Sequence, residues 1–147
     1  DSILRKYVEN EDKFNLTKNE LVIENKMFYS PIKGDITQSF NYEENHFAVD
    51  ISADVGTPVK SILDGKILFS EWSVDTGYVI IIDHGDNIVS VYKHNSKLLK
   101  EQNDYVQAGE VIAYSGNQGS LSSGPHLHFE LWNNGTPIDP EPLLNFQ

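Results

Sequence analysis

HLHFELW, residues 126–132, changes chemistry from one residue to the next. Side chains on a β-strand point alternately to opposite faces, so as a strand this stretch puts His126, His128 and Glu130 on one face and Leu127, Phe129 and Leu131 on the other. The apolar face belongs against a core and the histidine face against a groove. Two imidazoles at i and i+2 are close enough to meet one metal ion, or for one to bind it while the other addresses a bound water. Leu127 and Phe129 are core residues under either function.

The flanking sequence fits that strand into an all-β domain. From Met27 onward, short β-branched and aromatic runs are broken by Gly, Asp, Asn and Pro, the pattern of antiparallel strands joined by turns. The runs at 36–40, 47–52, 58–61, 65–72, 78–83, 88–94, 110–115 and 126–132 are candidate strands. DHGDN (83–87) supplies a tight hairpin, SVDTG (73–77) closes another, and NNGTPIDP (133–140) reads as a final turn followed by proline-bounded coil. Many short strands without a long repeat imply a mainly β fold, an antiparallel β-sandwich or rolled sheet. The opening segment differs: Ile3, Leu4, Tyr7 and Val8 recur at helical spacing in a charged background, so a short amphipathic helix is expected. The expected division is a helical extension or linker over 1–29 and a single domain over 30–147.

Composition removes several functional classes. A formal charge of −11 argues against steering toward nucleic acid and is compatible with attraction of cations or with a solvating surface. The absence of cysteine excludes disulfides, thiolate zinc sites and cysteine nucleophiles. No apolar run approaches the length of a membrane span; the nearest is YVIIID, 78–83. A start without methionine suits a trimmed product, with room upstream for a leader, membrane anchor or coiled coil.

A metal site needs more than His126 and His128. HFAVDIS (46–52) offers His46 and Asp50 four residues apart, an even separation that keeps both on one strand face, with small Ala48 between them. Zinc accepts imidazole nitrogen and carboxylate oxygen, and catalytic zinc keeps three protein ligands. Of the remaining histidines, His94 ends a strand, as a site residue or an exposed strand-end side chain, and His84 suits a hairpin turn. Asp83, Asp86 and Asp139 read as turn residues too. Glu130 shares the histidine face but lies about 6.6 Å beyond His128, which favours an orienting role. Tyr42, near His46, and Tyr92, by parity with His94, either line the cleft or are ordinary sheet aromatics. SGNQGSLSSGP (115–125) would form one wall of the groove.

The ordered set HFAVD, GTPVKSILDGKI, VSVYKH, YVQAGEVIAYSGNQG, SSGPHLHFEL and GTPIDP resembles the catalytic domain of the M23 family of zinc metallopeptidases, of the lysostaphin and LytM type. The resemblance runs from about Ser30 to Phe146. It implies one zinc ion held by His46, Asp50 and His128, with His94 and His126 catalytic on either side of the metal-activated water, and His84 not a ligand. Ala48 stands where the family usually has glycine, and Lys93 replaces a small residue. The implied activity is a zinc-dependent endopeptidase that hydrolyses stem peptides or cross-links of peptidoglycan, in the periplasm or cell envelope of a bacterium. The alternative is a non-hydrolytic domain of the same fold that binds peptidoglycan or activates an amidase. An N-terminal helix lying across the groove would imply self-inhibition.

Overall fold

A computed structural model describes residues 22–117 and 124–147. Its strands are β1 (Ile36–Gln38), β2 (Val49–Ser52), β3 (Pro58–Lys60), β4 (Gly65–Ser73), β5 (Gly77–Asp83), β6 (Ile88–Leu98), β7 (Tyr105–Val106), β8 (Val111–Ser115), β9 (His126–Asn133) and β10 (Thr136–Ile138). Each of the eight expected runs overlaps one of them, and β7 and β10 fall outside the expected runs. The helix expected near the start of the chain lies outside the described residues. Among those described, residues 22–24 are the helical ones, and no helix is long and apolar enough to cross a membrane.

All pairings are antiparallel, in the order β1-β2-β9-β6-β5-β4-β7, with β10 on β9 and β3 on β8. β6 joins the two parts of this sandwich-like arrangement. Its first part, Ile88–Lys93, pairs with β9, whereas Asn95 to Leu98 pair with β8. The change of partner falls at His94, whose φ of 70° is in the left-handed region that a side chain with a Cβ rarely adopts. The ladder to β5 is irregular at the same place: Ile80 faces Tyr92 but Tyr78 faces Asn95. That extra residue is a β-bulge, which bends the strand and redirects a side chain.

The bulge overturns the parity argument that put Tyr92 on the cleft side. Tyr92 is fully buried, its ring 5.3 Å from that of Phe129, while His94 is turned away to the other face. The core around them takes Val49 and Ile51 from β2, Ile80 and Ile82 from β5, and Leu127, Phe129 and Leu131 from β9, all 0% exposed. Fully burying each such side chain contributes about 1.5–3 kcal/mol, so the apolar half of HLHFELW fixes which way the histidines face. Ile23 and Phe146 close the core from the two ends of the described chain.

The expected terminal coil is a strand. Asn134 and Gly135, with φ of 53° and 75°, form a two-residue turn that folds Thr136–Ile138 back onto β9. Positive φ at both positions is the geometry an Asn-Gly pair favours, because its twist matches that of the flanking strands. Pro137 is accommodated because, among the described residues, β10 pairs only with β9, so no second ladder there needs its missing N–H.

Candidate metal centre and active site

The β2–β9 ladder sets Asp50 opposite His128 and Ser52 opposite His126. His46 precedes β2, so strand parity does not place it. A short bridge does: His46 and Asn41 exchange backbone hydrogen bonds of 2.8 and 2.9 Å. The result brings His46 Nε2 to 3.3 Å from Asp50 Oδ2 and His128 Nδ1 to 3.1 Å from Asp50 Oδ1. His46, Asp50 and His128 offer one ligand atom each within 4.8 Å of one another, a trio able to hold a metal ion. His126 Nε2 lies 4.0 Å from Asp50 Oδ1, and the His94 ring is 4.9 Å from that of His126 and 5.7 Å from that of His128. Together they line a cleft of about 360 Å³ whose rim adds Gln38, Asp75, Thr76 and Lys93.

Each imidazole in the cleft is oriented through one nitrogen. Nδ1 of His46 donates to the Ser39 carbonyl at 2.8 Å, that of His94 to Thr76 at 3.0 Å and that of His126 to Gly124 at 2.7 Å. A carbonyl only accepts, so Nδ1 carries the proton and Nε2 the lone pair of the neutral ring. His128 is reversed. Its Nε2 donates to Glu130 Oε2 at 2.7 Å, which leaves Nδ1 toward Asp50.

That reversal sets two acceptors against each other, since Nδ1 of a neutral His128 and the Asp50 carboxylate both present lone pairs at 3.1 Å. Such a contact is satisfied by a proton or a cation. Burial opposes charge on His128, but the hydrogen bonds and charges of Asp50 and Glu130 outweigh it and hold its pKa above the ordinary value. Burial likewise tends to raise the Asp50 pKa, and the His128 hydrogen bond and neighbouring imidazoles bring it below the usual carboxylate range. Two imidazole nitrogens and one carboxylate oxygen, aimed at one point, are the donor set that suits zinc.

Glu130 has the orienting place expected of it. It is 9% exposed, and besides His128 it accepts from Trp132 Nε1 at 2.9 Å and pairs with Lys93 Nζ at 3.0 Å. Burial works to raise its pKa, but His128, Lys93 and Trp132 together bring it to about 2, so the carboxylate stays charged.

Other expected candidates lie elsewhere. Tyr42 is 67% exposed and packs edge-on against Phe47, away from the cleft lining. Asp83 and Asp139 accept turn N–H groups, and Asp86 pairs with Lys26. Residues 118–123 of the expected groove wall lie outside the described residues. His84 does more than make a turn: its Nδ1 donates to the Asp64 carbonyl at 2.8 Å and its Nε2 is 2.6 Å from Ser90 Oγ. Only its hairpin position was visible in the sequence, because Ser90 looks like any polar residue in a strand.

The family model for peptidase family M23 matches residues 44–140, a stretch that contains every side chain of the cleft trio together with His94 and His126. The chain belongs to peptidase family M23. Lysostaphin of Staphylococcus simulans is 39% identical over 105 residues, covering 67% of this chain and 21% of that protein. The murein hydrolase activator EnvC of Escherichia coli is 35% identical over 94 residues, covering 64% of this chain and 22% of its own. Among solved structures, a zinc-containing peptidase from Vibrio cholerae superposes with a TM-score of 0.71 at 30% identity, covering 78% of this chain and 39% of that one. The match spans only 22% to 29% of the length of the first curated relatives of this M23 domain.

Proposed function

We propose that this M23 domain is a zinc-dependent endopeptidase that cleaves the peptide part of bacterial peptidoglycan in the cell envelope. The observation that carries the reading is the convergence of His46 Nε2, Asp50 and His128 Nδ1 on one point beside two further oriented imidazoles. Zinc held by this trio would lower the pKa of a water molecule and polarise a peptide carbonyl. The chain's own residues supply the rest. His94 and His126, each with Nδ1–H tied to a carbonyl, keep Nε2 to accept a proton from water and return it to the departing amine. Imidazole suits both transfers because it titrates near neutrality. Once protonated, either ring stabilises the negative charge that develops on the carbonyl oxygen. The bulge at His94 supports this assignment: strained backbone at non-glycine residues is concentrated at working sites, and here it brings an imidazole beside the trio.

A second reading is a regulatory domain that activates another wall enzyme, and the similarity to EnvC favours it. The complete set of five site side chains favours hydrolysis. Incubation of purified peptidoglycan with zinc-loaded protein, followed by mass spectrometry of the released fragments, separates the two. New peptide termini that disappear with His94→Ala support the endopeptidase. Intact peptidoglycan with wild-type zinc-loaded protein contradicts it and leaves the regulatory domain.

A further inference from the structure

His128 differs from the other three cleft histidines in what anchors it. They are held by main-chain carbonyls, whereas His128 is held by a side chain, at 2.7 Å from Glu130 Oε2. The distinction matters because a flip of the ring about its Cβ–Cγ bond puts Cδ2 where Nδ1 was and Cε1 where Nε2 was. With Nε2–H on Glu130, Nδ1 faces Asp50 at 3.1 Å; with the ring flipped, Cδ2 would face Asp50 and the bond from Nε2 to Glu130 would be lost.

Glu130 is itself fixed at both oxygens. Trp132 Nε1–H donates to Oε1 at 2.9 Å, while Oε2 takes His128 Nε2–H and lies 3.0 Å from Lys93 Nζ. Strand pairing builds this cradle, since Lys93 is directly opposite His128 across β6–β9, and His128, Glu130 and Trp132 alternate along β9 on one face. The Lys93 ammonium also balances the Glu130 charge. The carboxylate is thereby engaged as an acceptor for His128 and is not free to turn inward beside Asp50 as a second anionic ligand.

We propose that Glu130, held by Lys93 and Trp132, is a positioning residue that selects Nδ1 of His128 as the metal-facing nitrogen. The inference rests on the zinc reading above and adds the device that prepares one ligand. Hydrogen-bonded partners of metal-ligating histidines typically change metal affinity by about 10–100-fold when removed. Glu130→Leu removes the acceptor, and Glu130→Gln retains a neutral one. Trp132→Phe loosens only Oε1, at a side chain outside the buried core.

The experiment is a zinc titration in competition with a chromophoric chelator for wild type and the three variants, with folding checked by circular dichroism. Long-range ¹H–¹⁵N spectra of the zinc-loaded proteins identify the nitrogen of His128 that keeps its proton. Expected are Nε2–H in wild type, a loss of affinity of about 10–100-fold in Glu130→Leu, partial recovery in Glu130→Gln and a smaller loss in Trp132→Phe. If Glu130→Leu does not fold, Trp132→Phe and Glu130→Gln carry the test, and wild-type affinity in both overturns the proposal. Wild-type affinity in folded Glu130→Leu, or a proton on Nδ1 of His128 in wild type, also overturns it. A wild-type protein that takes up no zinc overturns the zinc reading itself, a different result.

Discussion

Replacing Tyr92 with phenylalanine removes one oxygen and should destabilise the domain by about 1–3 kcal/mol. The hydroxyl lies at the buried end of a chain of hydrogen bonds. It accepts from the Ile62 N–H at 3.2 Å and lies 2.9 Å from Ser90 Oγ, which is 2.6 Å from His84 Nε2. His84 Nδ1 donates to the Asp64 carbonyl, so the neutral ring presents its lone pair at Nε2 to Ser90, whose hydroxyl also bonds the Tyr92 oxygen. Burial pushes the Tyr92 pKa up to about 12, which keeps the phenol protonated at neutral pH. Tyr92→Phe preserves ring packing on Phe129 but strands the Ile62 N–H, at a residue 0% exposed, without its acceptor. The magnitude is the desolvation penalty of one buried donor, not the small net value of an average hydrogen bond. Urea unfolding followed by tryptophan fluorescence measures it, and a cycle with Ser90→Ala should show a coupling of about 0.5–3 kcal/mol. A Tyr92→Phe protein within about 0.3 kcal/mol of wild type, the ordinary scatter of additive sites, would refute the reasoning.

The other predictions concern separate parts of the molecule. His94→Ala and His126→Ala should each keep zinc while lowering kcat by about 10²–10⁴-fold, measured by peptide release beside metal content; loss of zinc in both would contradict their assignment as proton-transfer groups. Burial holds the His84 pKa below the ordinary imidazole value of 6.5, so the unfolded chain binds the extra proton first. The stability tied to neutral His84 is therefore present above pH 6.5 and declines as pH falls from there toward the folded pKa. Urea unfolding at a series of pH values should show a shallower decline in His84→Gln; equal slopes would contradict this. Gly34→Ala would drive a Cβ into the Ser52 carbonyl oxygen, in backbone held by the Gly34 N–H to Phe146 bond. An overpacking cost of about 1–3 kcal/mol is expected in thermal or urea unfolding, and unchanged stability would show that the backbone yields.

Much of this arrangement was legible in the sequence because its signals are local and periodic. Alternation alone separates His126, His128 and Glu130 from Leu127, Phe129 and Leu131, and the fold places the latter three at 0% exposure. The His-x-x-x-Asp spacing points to His46 and Asp50, but strand parity accounts for only one of them: Asp50 is on β2, whereas His46 reaches the cleft through its bridge to Asn41. Parity failed at Tyr92 and His94 because a one-residue bulge separates them and nothing in VYKHNS marks it. β10 departs from the expected coil: Asn134–Gly135 is a strong hairpin signal, but the prolines that follow it argue the other way. The role of His84 depends on Ser90 and Tyr92 meeting it across a hairpin and on the Asp64 carbonyl from another connection, partners that no spacing rule connects.

Metal content tests the central claim most directly. Protein purified without chelator, measured by inductively coupled plasma mass spectrometry beside His128→Ala, should carry one equivalent of zinc in the wild type and lose it in the variant. Absence of bound metal from both, even after zinc is added at neutral pH, would contradict the zinc-dependent hydrolase account.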